Sequence, residues 1–198
     1  MMRTGRLLRD RFGMIAAAAA ACAAGAQLSM AATFQTYQSP TPQLPVRFEY
    51  PAGWTAELSR GTTEAYHQVQ LFSPPAAAGR LHPYISVRAM PLTDQGGRFA
   101  TVDELIASHA TTLLPTLRID GRRRASVVGA TAEVVDGSGA LWLPWKAAHP
   151  KEVPVICQWM FFGAGGRLYE LSWIATPETA AGVLAAFDHL LSTLTLVE

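Results

Sequence analysis

Two cysteines in 198 residues, Cys22 and Cys157, are too few to staple a fold, so packing must hold it. Long apolar runs are missing too. The longest, Met14 to Ala26, falls short of the ~20 residues that a bilayer-spanning helix needs. Charge of one sign is also scarce: 16 basic residues face 15 acidic ones. Four of those bases and one acid precede residue 32, which leaves the rest of the chain slightly acidic. Nucleic acid requires a concentrated positive field and is excluded as a general partner. The one basic cluster, Arg122-Arg123-Arg124, is too short to supply that field.

The usual catalytic signatures are lacking as well. None of the five histidines pairs with another ligand at the helical spacing of a zinc-binding HExxH. His109 and His189 lie beside apolar helix stripes and read as packing or surface residues. No GxSxG elbow occurs, and Asp136-Gly137-Ser138-Gly139 reads as a turn. Gly163 to Gly166 lacks the spacing of a dinucleotide loop and reads as a hairpin connection. Cys157 sits in the most apolar segment, where burial raises a thiol's pKa and makes it inert. Asp103-Glu104 is explained by the chemistry of a helix start. The expectation is therefore no catalytic residue, no metal site, no cofactor, and a protein that is not an enzyme.

What is present begins with an export signal. Arg3, Arg6, Arg9 and Arg11 form a basic start, and Met14 with the alanine run to Ala21 forms an apolar centre. Ala24-Gly25-Ala26 and Ser29-Met30-Ala31 then offer small-residue cleavage sites. Residues 1–31 read as a signal peptide cleaved after Ala26 or Ala31, and the remainder as periplasmic or secreted. Arg9-Asp10-Arg11 is not an adjacent twin arginine, so the general secretory route is expected. Cys22 follows three alanines, a partial lipobox without its leucine. Lipidation there is the alternative, and a membrane is an expected partner only in that case.

Residues 32–45, rich in Thr, Gln, Ser and Pro, read as an extended lead-in to a single domain over 46–198. Strand-like alternation marks Val46–Tyr50, His67–Phe72 and Pro83–Leu92, and a short strand is expected over Trp54–Leu58. Arg124–Asp136 reads as one strand, and Val153–Phe162 as a strand covered on both faces. In Arg167–Ala175, Tyr169, Leu171 and Trp173 are assigned inward, Glu170 and Ser172 outward. A first helix begins at Thr101, whose hydroxyl and Glu104 can form a capping box, and Pro115 ends it. A second opens with Thr176 as N-cap and Pro177 at N1. Its buried stripe runs through Ala180, Val183, Leu184, Phe187, Leu190, Leu191 and Leu194. Hairpin-length links imply antiparallel pairing, so the fold class is α+β: a mostly antiparallel sheet covered by two amphipathic helices.

Phe48-Glu49-Tyr50-Pro51-Ala52-Gly53-Trp54, Ile85–Leu92, Gly165–Leu171 and Phe187–Leu194 together resemble the Mog1/PsbP-like family, including bacterial envelope members of the DcrB and LpqN kind. The resemblance implies a layered sandwich and a binding or assembly role without catalysis. Residues 139–152 look like an insertion on the minimal pattern. They hold the clearest binding feature, Trp142 and Trp145 in a proline-bearing segment. Arg122, Arg123 and Arg124 are the second candidate surface, suited to an acidic partner. The expected partner is another envelope protein. The alternative function is a small-ligand or lipid carrier with a pocket between sheet and helices.

Overall fold

The computed structural model describes residues 33–60, 66–74, 81–112, 117–143 and 148–197. The leader with its cleavage sites, Pro115 and Trp145 lie outside the described residues. Alternation in Val46–Pro51, here β2, builds a small sheet: Val46, Phe48 and Tyr50 are buried while Arg47 faces out. Phe34–Gln38, β1, pairs antiparallel with β2 from Phe34↔Pro51 to Gln38↔Arg47. The segment read as a lead-in thus contains a strand. Its polar composition reflects a strand that is mostly exposed. Thr195–Leu196, β10, flanks β2 on its other side.

The larger sheet has seven strands: β3 Thr55–Arg60, β4 His67–Phe72, β5 Tyr84–Pro91, β6 Leu117–Val127, β7 Ala130–Leu143, β8 Lys151–Ala164 and β9 Arg167–Ala175. All its neighbours are antiparallel, in the order β3-β4-β5-β9-β8-β7-β6. Two meanders therefore meet where β9 returns beside β5. The double glycine Gly165-Gly166, both at positive φ, makes the tight β8–β9 turn.

Arg124–Asp136, read as a single strand, is broken by a turn at Val128-Gly129, with φ of 45° and 80°. Positive φ at both central residues is what a two-residue hairpin requires, yet valine is a costly residue to place there. The turn is set by the pairing of β6 with β7 rather than by local preference. Conversely, the turn expected at Asp136–Gly139 is continuous strand within β7. Gly137 serves the packing instead: a Cβ there would lie 2.9 Å from Cζ3 of the Trp159 ring.

Helix α2, Ala180–Thr193, buries Ala180, Val183, Ala186, Phe187 and Leu190. It packs with β2 over Val69, Val87, Tyr169, Leu171 and Trp173 of the large sheet. Thr176 opens a turn into this helix, its carbonyl accepting from the amides of Thr179 and Ala180, while the residue that precedes the helix is Thr179 and makes no side-chain cap bond. Leu184 remains exposed.

Helix α1, Val102–Thr112, lies on the opposite face, over Met90, Val135, Phe161 and Leu168. The Thr101 hydroxyl accepts the Glu104 amide at 3.2 Å. The Glu104 carboxylate reaches one residue beyond the expected capping box, to the Ala100 amide at 2.8 Å. With a helix on each face, β9 is buried along nearly its whole length. Glu170 and Ser172, assigned outward, are 3% and 8% exposed. The chain is thus α+β, with antiparallel sheets and two helices.

Candidate functional site

The face beneath α1 carries a buried polar row fixed by strand register. Gln68 of β4, Arg88 of β5 and Glu170 of β9 are cross-strand partners in sequence. Arg88 donates from Nη1 to Glu170 Oε2 at 3.0 Å, and from Nε and Nη2 to Gln68 Oε1 at 3.2 and 2.9 Å. Gln68 passes the chain on to Ser59 Oγ at 2.9 Å. The Tyr66 ring lies 4.3 Å from the Arg88 guanidinium carbon, a cation–π contact.

From above, α1 lowers His109 onto the same carboxylate. The ring packs edge-on against Phe161, its Nδ1 lies 3.2 Å from the Leu105 carbonyl oxygen, and its Nε2 lies 3.1 Å from Glu170 Oε2. A carbonyl only accepts, so Nδ1 is placed to donate to Leu105. Nε2 approaches the carboxylate closely without being aligned as a hydrogen bond. Burial by itself would push the Glu170 carboxyl up. The His109 and Arg88 contacts outweigh it and hold the group below the ordinary carboxylate value. His109, expected as a packing or surface residue, is thus the polar clasp between α1 and the sheet.

Beside the clasp lies a recess of about 280 Å³ between α1 and β6–β8, lined by Ile106, Leu117, Ile119, Val135, Trp159 and Phe161. Its origin is what β7 lacks. Leu117 and Ile119 pair with Gly139 and Gly137, so no side chain rises opposite them. His109 and Arg118 supply the polar groups of the lining.

Trp142 stands 48% exposed on β7. Strand alternation sends its neighbours Leu141 and Leu143 the other way, into a cluster with Leu81, Val155 and Ile174. Its cross-strand partner is Glu152. The arginine triplet is spoken for: Arg122 bonds Glu133 at 2.9 Å and Asp103 at 3.0 Å, Arg124 bonds Glu133 at 2.8 Å, and Arg123 pairs with Asp136. These bonds, from Arg124 and then Arg122, hold the Glu133 carboxyl below its ordinary value. Register places Arg123 opposite Val134, eight residues along β7 from Trp142. At roughly 3.3 Å per residue the two candidate surfaces are about 26 Å apart and are not one site.

Cys157 donates to the Gly137 carbonyl at 3.4 Å, and burial, helped by Asp120 and Asp136, pushes its thiol up to about 12. At neutral pH it is not a nucleophile. Among the described residues no group of three or more side chains could hold a metal ion, and no helix is long and apolar enough to cross a membrane.

Sequence reasoning missed the Gln68–Arg88–Glu170–His109 row by treating each member separately. A usable signal was the histidine within the α1 stripe, because the stripe must cover a second sheet face and would bring that ring to it.

No protein-family model and no curated protein matches the sequence. Similarity appears in three dimensions. Cyanobacterial PsbP (CyanoP) from Synechocystis sp. PCC 6803 superposes with a TM-score of 0.51 at 12% identity, covering 90% of this chain and 98% of that one. LpqN of Mycobacterium tuberculosis, described as involved in cell envelope biogenesis, gives 0.50 at 14% identity, covering 84% and 91%. Both have the Mog1/PsbP-like fold, and with nearly their whole lengths covered, that is the fold of this chain.

Proposed function

We propose that the protein is an exported, non-catalytic binding or assembly factor that engages another envelope protein through the surface around Trp142. The observation that carries this reading is the exposed indole itself. A strand that buries Leu141 and Leu143 shows a large aromatic to solvent on its other side. Exposed tryptophan is costly to leave uncovered and is enriched where partners bind, because it buries much area at little conformational cost. The envelope role of LpqN agrees with this reading by analogy of fold, which by itself does not fix function. Export rests on the basic and apolar leader, and a mature mass beginning at Gln27 or Ala32 checks it.

The test is native mass spectrometry of the chain gently extracted from its own envelope. A second protein should accompany it and be lost from the Trp142→Ala, Trp145→Ala double variant, with the thermal midpoint nearly unchanged. A large fall in midpoint would make these side chains core, and the reading would fail. The recess beneath α1 favours a second reading, a carrier of a small apolar ligand. A bare monomer with a small non-covalent mass, displaced by filling the recess with Val135→Phe, would support it over the first.

A further inference from the structure

Apart from the Trp142 surface and the recess, a larger cleft of about 590 Å³ opens between the β1–β2 loop, β10 and the β8–β9 turn. Its volume is within the range of sites that take small organic ligands, roughly 300–1,000 Å³. The cleft reaches the core, because its lining includes Val46 and Tyr169, which are 1% and 2% exposed. Pro45, Leu196 and Val197 give it an apolar wall. Among the described residues Arg167 is the one charged side chain in the lining, and none of the lining residues is an acid.

Arg88, Arg118, Arg122, Arg123 and Arg124, by contrast, each hold a carboxylate. The Tyr169 phenol is near enough to feel the Arg167 charge, which pulls it down while burial pushes it up more. It therefore remains a neutral hydroxyl, able to donate a hydrogen bond at neutral pH.

We propose that this cleft binds a small organic monoanion, its carboxylate held by Arg167 and the Tyr169 hydroxyl and its apolar body laid along Pro45, Leu196 and Val197. A single uncompensated guanidinium selects one negative charge and suits a planar carboxylate, which it can take through two parallel bonds. The apolar wall selects against a fully hydrated anion, whose shell it could not replace. This site is separate from the surface around Trp142 and does not depend on that reading.

The probe is octanoate, titrated calorimetrically into the mature chain, with octylammonium as the counterpart of equal length and opposite charge. Octanoate should bind about tenfold or more tightly than octylammonium, the scale of a charge-assisted bond. Arg167→Gln should remove that preference, Arg167→Lys should retain part of it, and Arg98→Gln, outside the lining, should leave it intact. Amide NMR shifts on titration should centre on Gly165, Leu196 and Val197. Equal affinity for the two probes, or an unchanged preference in Arg167→Gln, overturns the proposal. Shifts centred on Ile106 and Trp159 overturn it in favour of the recess. A melting curve of each variant separates lost binding from lost folding.

Discussion

Replacing Glu170 by glutamine keeps the side chain's shape and removes one buried charge. In the native protein that charge is shared by Arg88 at 3.0 Å and His109 at 3.1 Å, inside a side chain only 4% exposed. The amide retains a carbonyl for Arg88, but its NH2 group or neutral oxygen must now face His109. Each charge-assisted contact contributes about 1.5–3 kcal/mol. Removing one member of a buried ion cluster, which strands the others, costs about 3–5 kcal/mol. Because the amide keeps one acceptor, about 3 kcal/mol is expected. For a domain of this size that lowers the midpoint by about 6–12 °C.

The pH dependence has a definite sign. The Glu170 carboxyl is held below its ordinary value of 4.5 in the folded chain, so its contribution is fully present above that value. It fades as pH falls from there through the lower folded value. Chemical denaturation of wild type and Glu170→Gln should therefore show a stability gap that closes as the pH falls below the carboxyl's ordinary value. A midpoint within 2 °C of wild type at pH 7, or a gap unchanged down to pH 2.5, would refute the clasp.

Two further predictions concern the same face. Gly137→Ala places a methyl 2.9 Å from the Trp159 ring, 3.1 Å from the Arg118 carbonyl oxygen and 3.3 Å from Cys157 Sγ. It should destabilise by about 1–3 kcal/mol and shift Trp159 fluorescence, read by urea melts and emission spectra; unaltered emission would mean the ring does not rest on this glycine. In a chain lacking residues 1–31, and so Cys22, Cys157 should react with a disulfide reagent at pH 8 on the order of a thousandfold more slowly when folded than in denaturant. That ratio follows from a thiol raised from 9.0 to about 12, and comparable rates would contradict its burial.

How much of this was readable follows from which physical signal each segment carries. His67–Phe72 and Arg167–Ala175 have the bounds that alternation assigns, because turn-forming or loop residues delimit them. The Gly165-Gly166 hairpin was legible because glycine declares positive φ. Val128-Gly129 was not, because the register between β6 and β7 imposes on valine a conformation that it disfavours. Gly137 misled in the opposite sense. Glycine marks either a turn or a close approach, and only the position of Trp159 decides which. Glu170 and Ser172 were misassigned for a deeper reason. Alternation says which residues share a face but not how many faces are covered, and helix α1 covers the second one. Of the candidate site, Trp142 was legible as an exposed aromatic. The arginine triplet could not be weighed from sequence, because Glu133 is about ten residues away along the chain and opposite only through register.

The two helices hold the sheet by different means, and this organises the candidate surfaces. Helix α2 buries five side chains in the larger core, so its attachment rests on non-directional apolar area. Helix α1 fully buries only Leu105 among its described side chains. It is secured besides by His109 on Glu170, and by Asp103 on Arg122 at 3.0 Å at a solvent-exposed edge. Exposed pairs contribute little, about 0–1 kcal/mol, so the clasp and the apolar contacts of Leu105, Val102 and Ile106 carry most of the attachment. A helix held by one fully buried side chain, the partly buried Val102 and Ile106 and one polar clasp opens at lower cost than one held by a broad buried stripe. Amides of Leu105–His109 should therefore exchange with solvent well before those of Val183–Leu190. The weaker helix roofs the recess made by Gly137 and Gly139, which places any opening of the chain where an apolar surface would be uncovered.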